Sequence, residues 1–131
     1  MTVRDPAPFS SFLGIEVTRC SPERSEAQLT VRQELINAFG VLHGGAVMAL
    51  GDTLGGMTVI AGLPADGRTT TIESKSNFFA ALPLGETAYA VCTPLHRGRT
   101  TIVLETRITR ADGKLAAIIT QTQLLFRQEQ K

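Results

Sequence analysis

The clearest alternation in the chain lies at "TIVLETRI". Ile102, Leu104, Thr106 and Ile108 fall on one side, and Thr101, Val103, Glu105 and Arg107 on the other. A period of two marks a strand with one face toward a core. Four strand-like runs fill the second half of the chain, at 69–81, 86–94, 99–110 and 115–127. "LPLG", "LHRG" and "ADGK" separate them, each carrying turn residues. Earlier, "IEVTRC" and "EAQLTVR" predict two more strands around the turn "SPERS". Ahead of these, "DPAPFSSFLG" predicts a short helix. Asp5 caps it, Pro6 suits its first turn, Phe9, Phe12 and Leu13 share a face, and Gly14 stops it.

The remaining segment breaks this rhythm. "QELINAFGVL" is expected as a loop, and it leads into an apolar stretch from Gly44 to Gly62 that is too long for a strand. The whole apolar run, from Ala38 to Leu63, is long enough to cross a bilayer, and Gly51 and Gly55 add a GxxxG spacing. A span would place His43 and Asp52 in hydrocarbon, with no second comparable segment in a chain otherwise made of soluble-type strands. A buried helix is the better expectation. A helix that is apolar all round must be covered on most sides, and a curled sheet can do this. Ala46, Ala49, Gly51, Gly55, Gly56 and Ala61 allow close approach. Each interior Gly costs about 1 kcal/mol of helix propensity, which close packing would offset. The expected architecture is α+β: one antiparallel sheet and one long central helix in a single domain over residues 1–131.

Composition narrows the function classes. With 131 residues and 43% apolar side chains, the chain supports one packed core. A net charge of +1, with Lys and Arg spread along the chain, argues against nucleic acid as the main partner. Cys20 and Cys92 are far apart and form no CxxC pattern, so neither a disulfide framework nor a zinc site is indicated. Reduced thiols and the absence of signal-peptide character at "MTVRDPAPFSSFLG" point to a cytoplasmic protein.

Candidate chemistry gathers in "VLHGGAVMALGD". Asp52 is the one carboxylate, and the one strongly charged side chain, between Glu34 and Asp66. The plain alternatives are that Gly44 and Gly45 only shape a helix entry, that His43 is satisfied by backbone, and that Asp52 pairs with a distant Arg. Together the residues say more. A carboxylate in mid-helix with no Lys or Arg within a turn needs a partner or water. Its axial neighbours Met48, Ala49, Gly55 and Gly56 form a low apolar floor, and such surroundings strengthen a base. N–H groups at the helix start supply the electrostatics to polarise a carbonyl and hold an oxyanion. A carboxylate plus an oxyanion hole suggests acyl transfer to water. Nine residues of helix, however, turn about 900° and rise roughly 13.5 Å. The two halves of one chain therefore point apart, and a shared site in a symmetric dimer resolves the conflict.

"NAFGVLHGGAVMALGD" resembles the signature of the hotdog-fold acyl-CoA thioesterases, in the PaaI-like and 4-hydroxybenzoyl-CoA thioesterase branch. In that pattern an Asn or Gln lies six residues before the His of an HGG and an Asp or Glu nine after it, which here are Asn37, His43, Gly44, Gly45 and Asp52. "SNFFAALPLGE" and "VCTPLHRGRTTIVLETRITRADGKLAAIITQTQLLF" resemble the family's later strands, so the similarity spans nearly the whole chain. The resemblance implies the hotdog fold, a curved antiparallel sheet wrapped around a long central helix. It implies homodimers with active sites at the interface, usually paired into homotetramers, and hydrolysis of an aryl- or medium-chain acyl-CoA. No metal or cofactor is expected, coenzyme A being part of the substrate.

By position, the resemblance makes Asp52 the nucleophile or general base and the Gly44 N–H the donor to the thioester carbonyl. Asn37 and His43 would position the carbonyl or water. Gly45 and Phe78 would line the substrate, and the turn of His96, Arg97, Gly98 and Arg99 would lie near coenzyme A, its arginines meeting phosphates. Phe78 and Phe79 alternate across a strand, so one of them is expected to face the acyl pocket, and the resemblance selects Phe78. Some relatives of this type carry Ser or Thr four residues after the carboxylate to hold the attacking water, where this chain has Gly56. The alternative outside catalysis is a hotdog protein that binds acyl-CoA without turning it over; a dehydratase arrangement agrees less well with the residues.

Overall fold

The structure, a computed structural model, describes residues 7–129. Its elements run α1 (Pro8–Leu13), β1 (Glu16–Arg19), β2 (Ser25–Thr30), α2 (Gly44–Ile60), β3 (Gly67–Phe78), β4 (Thr87–Arg97), β5 (Thr101–Thr109) and β6 (Leu115–Arg127), with a short 3-10 turn at Gln33–Leu35. The strands form one six-stranded antiparallel sheet in the order β1-β2-β4-β5-β6-β3. α2 connects β2 to β3 and lies across the inner face of the sheet, packing on β2 to β6. This is the sheet-around-helix arrangement expected from the sequence. The caps proposed for α1, Asp5 and Pro6, lie outside the described residues. Within them Pro8 opens the helix, and Gly14, at φ 80°, ends it.

The inner face is built from alternate strand positions. Ala27 and Leu29 of β2, Ala88, Ala90 and Cys92 of β4, Leu104, Thr106 and Ile108 of β5, and Ala117 and Ile119 of β6 are all buried. The alanines let the helix settle low, and the larger side chains fill the space beside it. Burial pushes the Cys92 thiol up, so it is a core group and not a nucleophile. Cys20 is half-buried and its thiol donates to the Met57 carbonyl at 3.7 Å.

α2 buries Ala46, Val47, Leu50, Gly51, Leu54, Gly55, Thr58 and Val59, which follow helical spacing along one broad face. The sheet covers that face and not the rest: Met48 is 41% exposed and Ile60 is 60% exposed in the single chain. The helix is thus wrapped less fully than its all-round apolar sequence suggested. Among the described residues no helix is long and apolar enough to cross a membrane.

Two irregularities place functional side chains. On β3, pairing with β6 shifts between Thr71 and Glu73, so Ile72 is an extra, outward residue. A bulge reverses which alternate positions face inward. Thr69 and Thr71 share the inner face with Gln123 before it, and Ser74, Ser76 and Phe78 share it with Gln121, Ile119 and Ala117 after it. On β4 a second shift between Pro94 and His96 absorbs Leu95 and lets the strand continue. His96 and Arg97 therefore pair with Val103 and Ile102 of β5 instead of forming the expected turn, which begins at Gly98.

The helix glycines make a signed prediction. A Cβ at Gly51 would lie 2.9 Å from Ile119 Cγ1, whereas nothing lies within 4 Å of one at Gly56. Gly51→Ala is expected to destabilise by about 1–3 kcal/mol through overpacking, despite the better propensity of Ala. Gly56→Ala is expected to gain about 0.5–1 kcal/mol. Thermal or denaturant unfolding of the two variants checks the opposite signs.

Candidate active site

The loop before α2 folds on its own backbone. Ile36 bridges Leu42, and the Asn37 N–H donates to the Val41 carbonyl at 2.9 Å. Asn37 Oδ1 accepts the N–H groups of Phe39 at 2.9 Å and Val41 at 3.4 Å. Using the oxygen this way fixes the amide: its NH2 is what remains to meet a ligand. His43 caps the helix, its Nδ1 accepting the Gly45 N–H at 2.8 Å. The imidazole proton must then sit on Nε2. A Cβ at residue 45 would lie 3.0 Å from His43 Nδ1, so the second glycine of the HGG makes room for the cap. Gly45 has given its N–H to the histidine. The Gly44 N–H has no acceptor among the described residues, as expected for a first-turn amide.

Asn37 and Gly44 border a cavity of about 380 Å³ whose other walls include Val41, Val47, Leu82 and Ala117. Phe78 and Phe79 both line it. The expectation that alternation would admit one of them is corrected: β3 ends at Phe78, and the N–H groups of Phe79 and Ala80 both reach the Ala116 carbonyl, at 2.8 and 3.2 Å. The chain turns there, and consecutive rings reach the same space.

Asp52 stands elsewhere. Eight residues of α2 separate it from Gly44, a rise of about 12 Å and about 80° beyond two full turns. It is exposed in the single chain and is not sunk in an apolar floor. Its partners are neutral: Oδ1 accepts the Thr71 hydroxyl at 2.8 Å and Gln121 Nε2 at 3.4 Å. Behind Thr71, Gln123 Nε2 donates to Thr71 Oγ1 at 2.6 Å, and Gln123 Oε1 accepts the Thr69 hydroxyl at 2.9 Å. Thr71, Gln121 and Gln123 were missed by motif reasoning. The available signal was "TQTQ" in β6, which puts glutamines at inner-face positions in register with Ile119 and Ala117.

The β4–β5 turn lies at the far end of α2. Arg97 donates to the Pro22 carbonyl and lines a small cleft with Thr58, Val59 and Gly62. Arg99 is exposed and has no ion-pair partner among the described residues. One chain therefore assembles two groups and keeps them apart: Asn37, Gly44 and the two phenylalanines at the start of the helix, and Asp52 with its polar neighbours midway along it. No group of three or more His, Cys, Asp or Glu among the described residues is placed to hold a metal.

The sequence model of the thioesterase superfamily matches residues 39–117, from the loop before α2 through the start of β6. The chain belongs to the thioesterase superfamily. A candidate esterase of Mycobacterium tuberculosis is 34% identical over 95 residues, covering 70% of this chain and 67% of that protein. Its solved structure superposes with a TM-score of 0.89 at 27% identity, covering 95% of this chain and all of the other. The proofreading thioesterase EntH of Cronobacter turicensis is 39% identical over 88 residues, 66% of this chain and 63% of the relative. A hypothetical thioesterase protein of Streptococcus pneumoniae, solved with coenzyme A, superposes with a TM-score of 0.79 at 25% identity, and the match covers 88% of each chain. As a thioesterase-superfamily protein with this sheet and central helix, the chain has the hotdog fold and is a thioester hydrolase.

In this thioesterase the His43 cap has a measurable consequence. His43→Ala leaves the Gly45 N–H without its acceptor and is expected to cost about 1 kcal/mol. His43→Asn restores a capping oxygen and should recover most of that loss. Unfolding curves of the two variants decide it.

Proposed function

We propose that the chain is an acyl-CoA thioesterase that hydrolyses aryl- or medium-chain acyl-CoA thioesters. The proposed active unit is a homodimer with shared sites, and pairing to a homotetramer is proposed from the family resemblance. One observation carries this. The Asn37 amide and the Gly44 N–H offer two donors to one apolar cavity, and Asp52 lies about 12 Å further along the same helix, on its exposed side. The donors serve a thioester oxygen that gains negative charge as the carbonyl is attacked. Asp52 from a second subunit supplies the attacking oxygen, either its own or that of a water it deprotonates. The uncovered side of α2, with Met48 and Ile60 exposed, supports a partner there.

Thr71 answers the lack of a hydroxyl at Gly56. Its Oγ1 lies on Asp52 and comes from β3, not from the helix, so a hydroxyl stands beside the carboxylate all the same. The pocket supports the acyl class. Its size and the two phenyl rings suit an aromatic ring or a short run of methylenes. Coenzyme A in the pneumococcal relative supports the leaving group. Arg99, exposed at the β4–β5 turn and without an ion-pair partner among the described residues, is the proposed phosphate contact. Arg97, tied to Pro22, holds the turn, and His96 and Gly98 are proposed to flank the coenzyme A. A cytoplasmic location is proposed from the sequence reading of reduced thiols.

The test is release of free thiol across a panel of aryl, medium-chain and long-chain acyl-CoA esters, with Asp52→Asn beside the wild type. The expected result is turnover of aryl or medium-chain esters and a loss of about 100-fold or more in Asp52→Asn, with acyl-CoA still bound. Binding without turnover by the wild type would make the chain an acyl-CoA binding protein instead.

A further inference from the structure

Gln121 and Gln123 are each 1% exposed, on the inner face of β6 beside the aliphatic Ala117 and Ile119. Gln121 Oε1 has no hydrogen-bond partner among the described residues. Its amide lies over Gly55, where any Cβ would collide with it. A buried carbonyl oxygen left unpaired keeps its full desolvation penalty. For stability alone, methionine or leucine would serve this position better, so the glutamine asks for another reason.

Hydrogen-bond direction supplies one. An ionised Asp52 can only accept, so the single hydrogen of the Thr71 hydroxyl goes to Asp52 Oδ1. Thr71 Oγ1 must then receive its other bond, and Gln123 Nε2 gives it at 2.6 Å. That turns Gln123 Oε1 to Thr69, whose hydroxyl donates at 2.9 Å. Every donor in the chain Thr69, Gln123, Thr71 points toward Asp52. Gln121 Nε2 adds a second donor to the same Oδ1 from the other side. Oδ2 has no donor among the described residues. We propose that Gln123, acting through Thr71, and Gln121, acting directly, are positioning residues that clamp Oδ1 of Asp52 and leave Oδ2 as the oxygen that attacks or takes the proton.

This rests on the assignment of Asp52 as the reacting carboxylate, and the experiment separates the two. Thiol release and thermal unfolding are measured for Gln123→Met, Gln121→Met, Thr71→Val, Gln123→Met/Thr71→Val and Asp52→Asn. The expected kcat losses in Gln123→Met and Gln121→Met are about tenfold or more, part of the hundredfold or more that a base supplies, with KM within about twofold. Gln121→Met is expected to melt at or above the wild-type temperature while it loses kcat, a pairing that a structural role does not produce. The Gln123→Met loss is expected to vanish in the Thr71→Val background. Wild-type kcat in both folded glutamine variants, losses confined to KM, or full additivity with Thr71→Val would overturn the proposal, as would failure of both variants to fold. If Asp52→Asn loses turnover while the glutamine variants keep it, the clamp fails and the function stands. If Asp52→Asn keeps turnover, both fall.

Discussion

The close seating of α2 on β6 is the constraint on which the rest depends. Gly51 lies against Ile119, and Gly55 lies against the Gln121 amide, one helical turn apart. Neither position has room for a methyl group. Asp52 follows the first of these contacts directly, so its height above the sheet and its approach to Thr71 are set by backbone contact instead of by a flexible side chain. A helix of this composition gives up propensity at each glycine. What it gains is a carboxylate held beside the polar positions of β3 and β6.

The polarity of that neighbourhood is unusual for the inner face of a sheet. Asp52 meets a hydroxyl and an amide, with no guanidinium or ammonium opposite it among the described residues. A cationic partner would bind the carboxylate tightly and blunt it as a base or nucleophile. Neutral donors orient it at less cost to its reactivity. The start of the helix follows the same economy. His43 takes the Gly45 N–H and the backbone takes Asn37 Oδ1, so what Asn37 and Gly44 have left to offer the cavity is donors. Each group leaves free what the proposed chemistry would use: the Gly44 N–H at the helix start and Oδ2 of Asp52 midway along it, neither with a partner among the described residues.

Much of this was legible in the sequence. The helix and the strand order along the chain follow from periodicity, and the separation of about 12 Å between Gly44 and Asp52 follows from helical geometry alone. The bulges did not show. Nothing in "TTTIESKSNFF" marks Ile72 as an extra residue, yet it decides that Thr71 and Phe78 both face the helix. Leu95 likewise carried His96 and Arg97 out of the expected turn and into β4. Bulges are set by how two distant strands keep register while curling round the helix, which a single segment does not encode. Asp52 was expected among apolar neighbours because its helical neighbours are apolar. Its partners came from the sheet, at positions where the "TQTQ" of β6 interrupts an aliphatic face.

The central claim is that Asn37 and Asp52 of different subunits serve one site. It is tested most directly by mixing Asn37→Ala protein with Asp52→Asn protein, each inactive alone, and following thiol release after subunit exchange verified by mass-tagged dimers. Random pairing makes half the dimers mixed, and in each of these one site carries both defects and the other neither. The account predicts recovery of about a quarter of full activity. Verified mixed dimers without activity would contradict it.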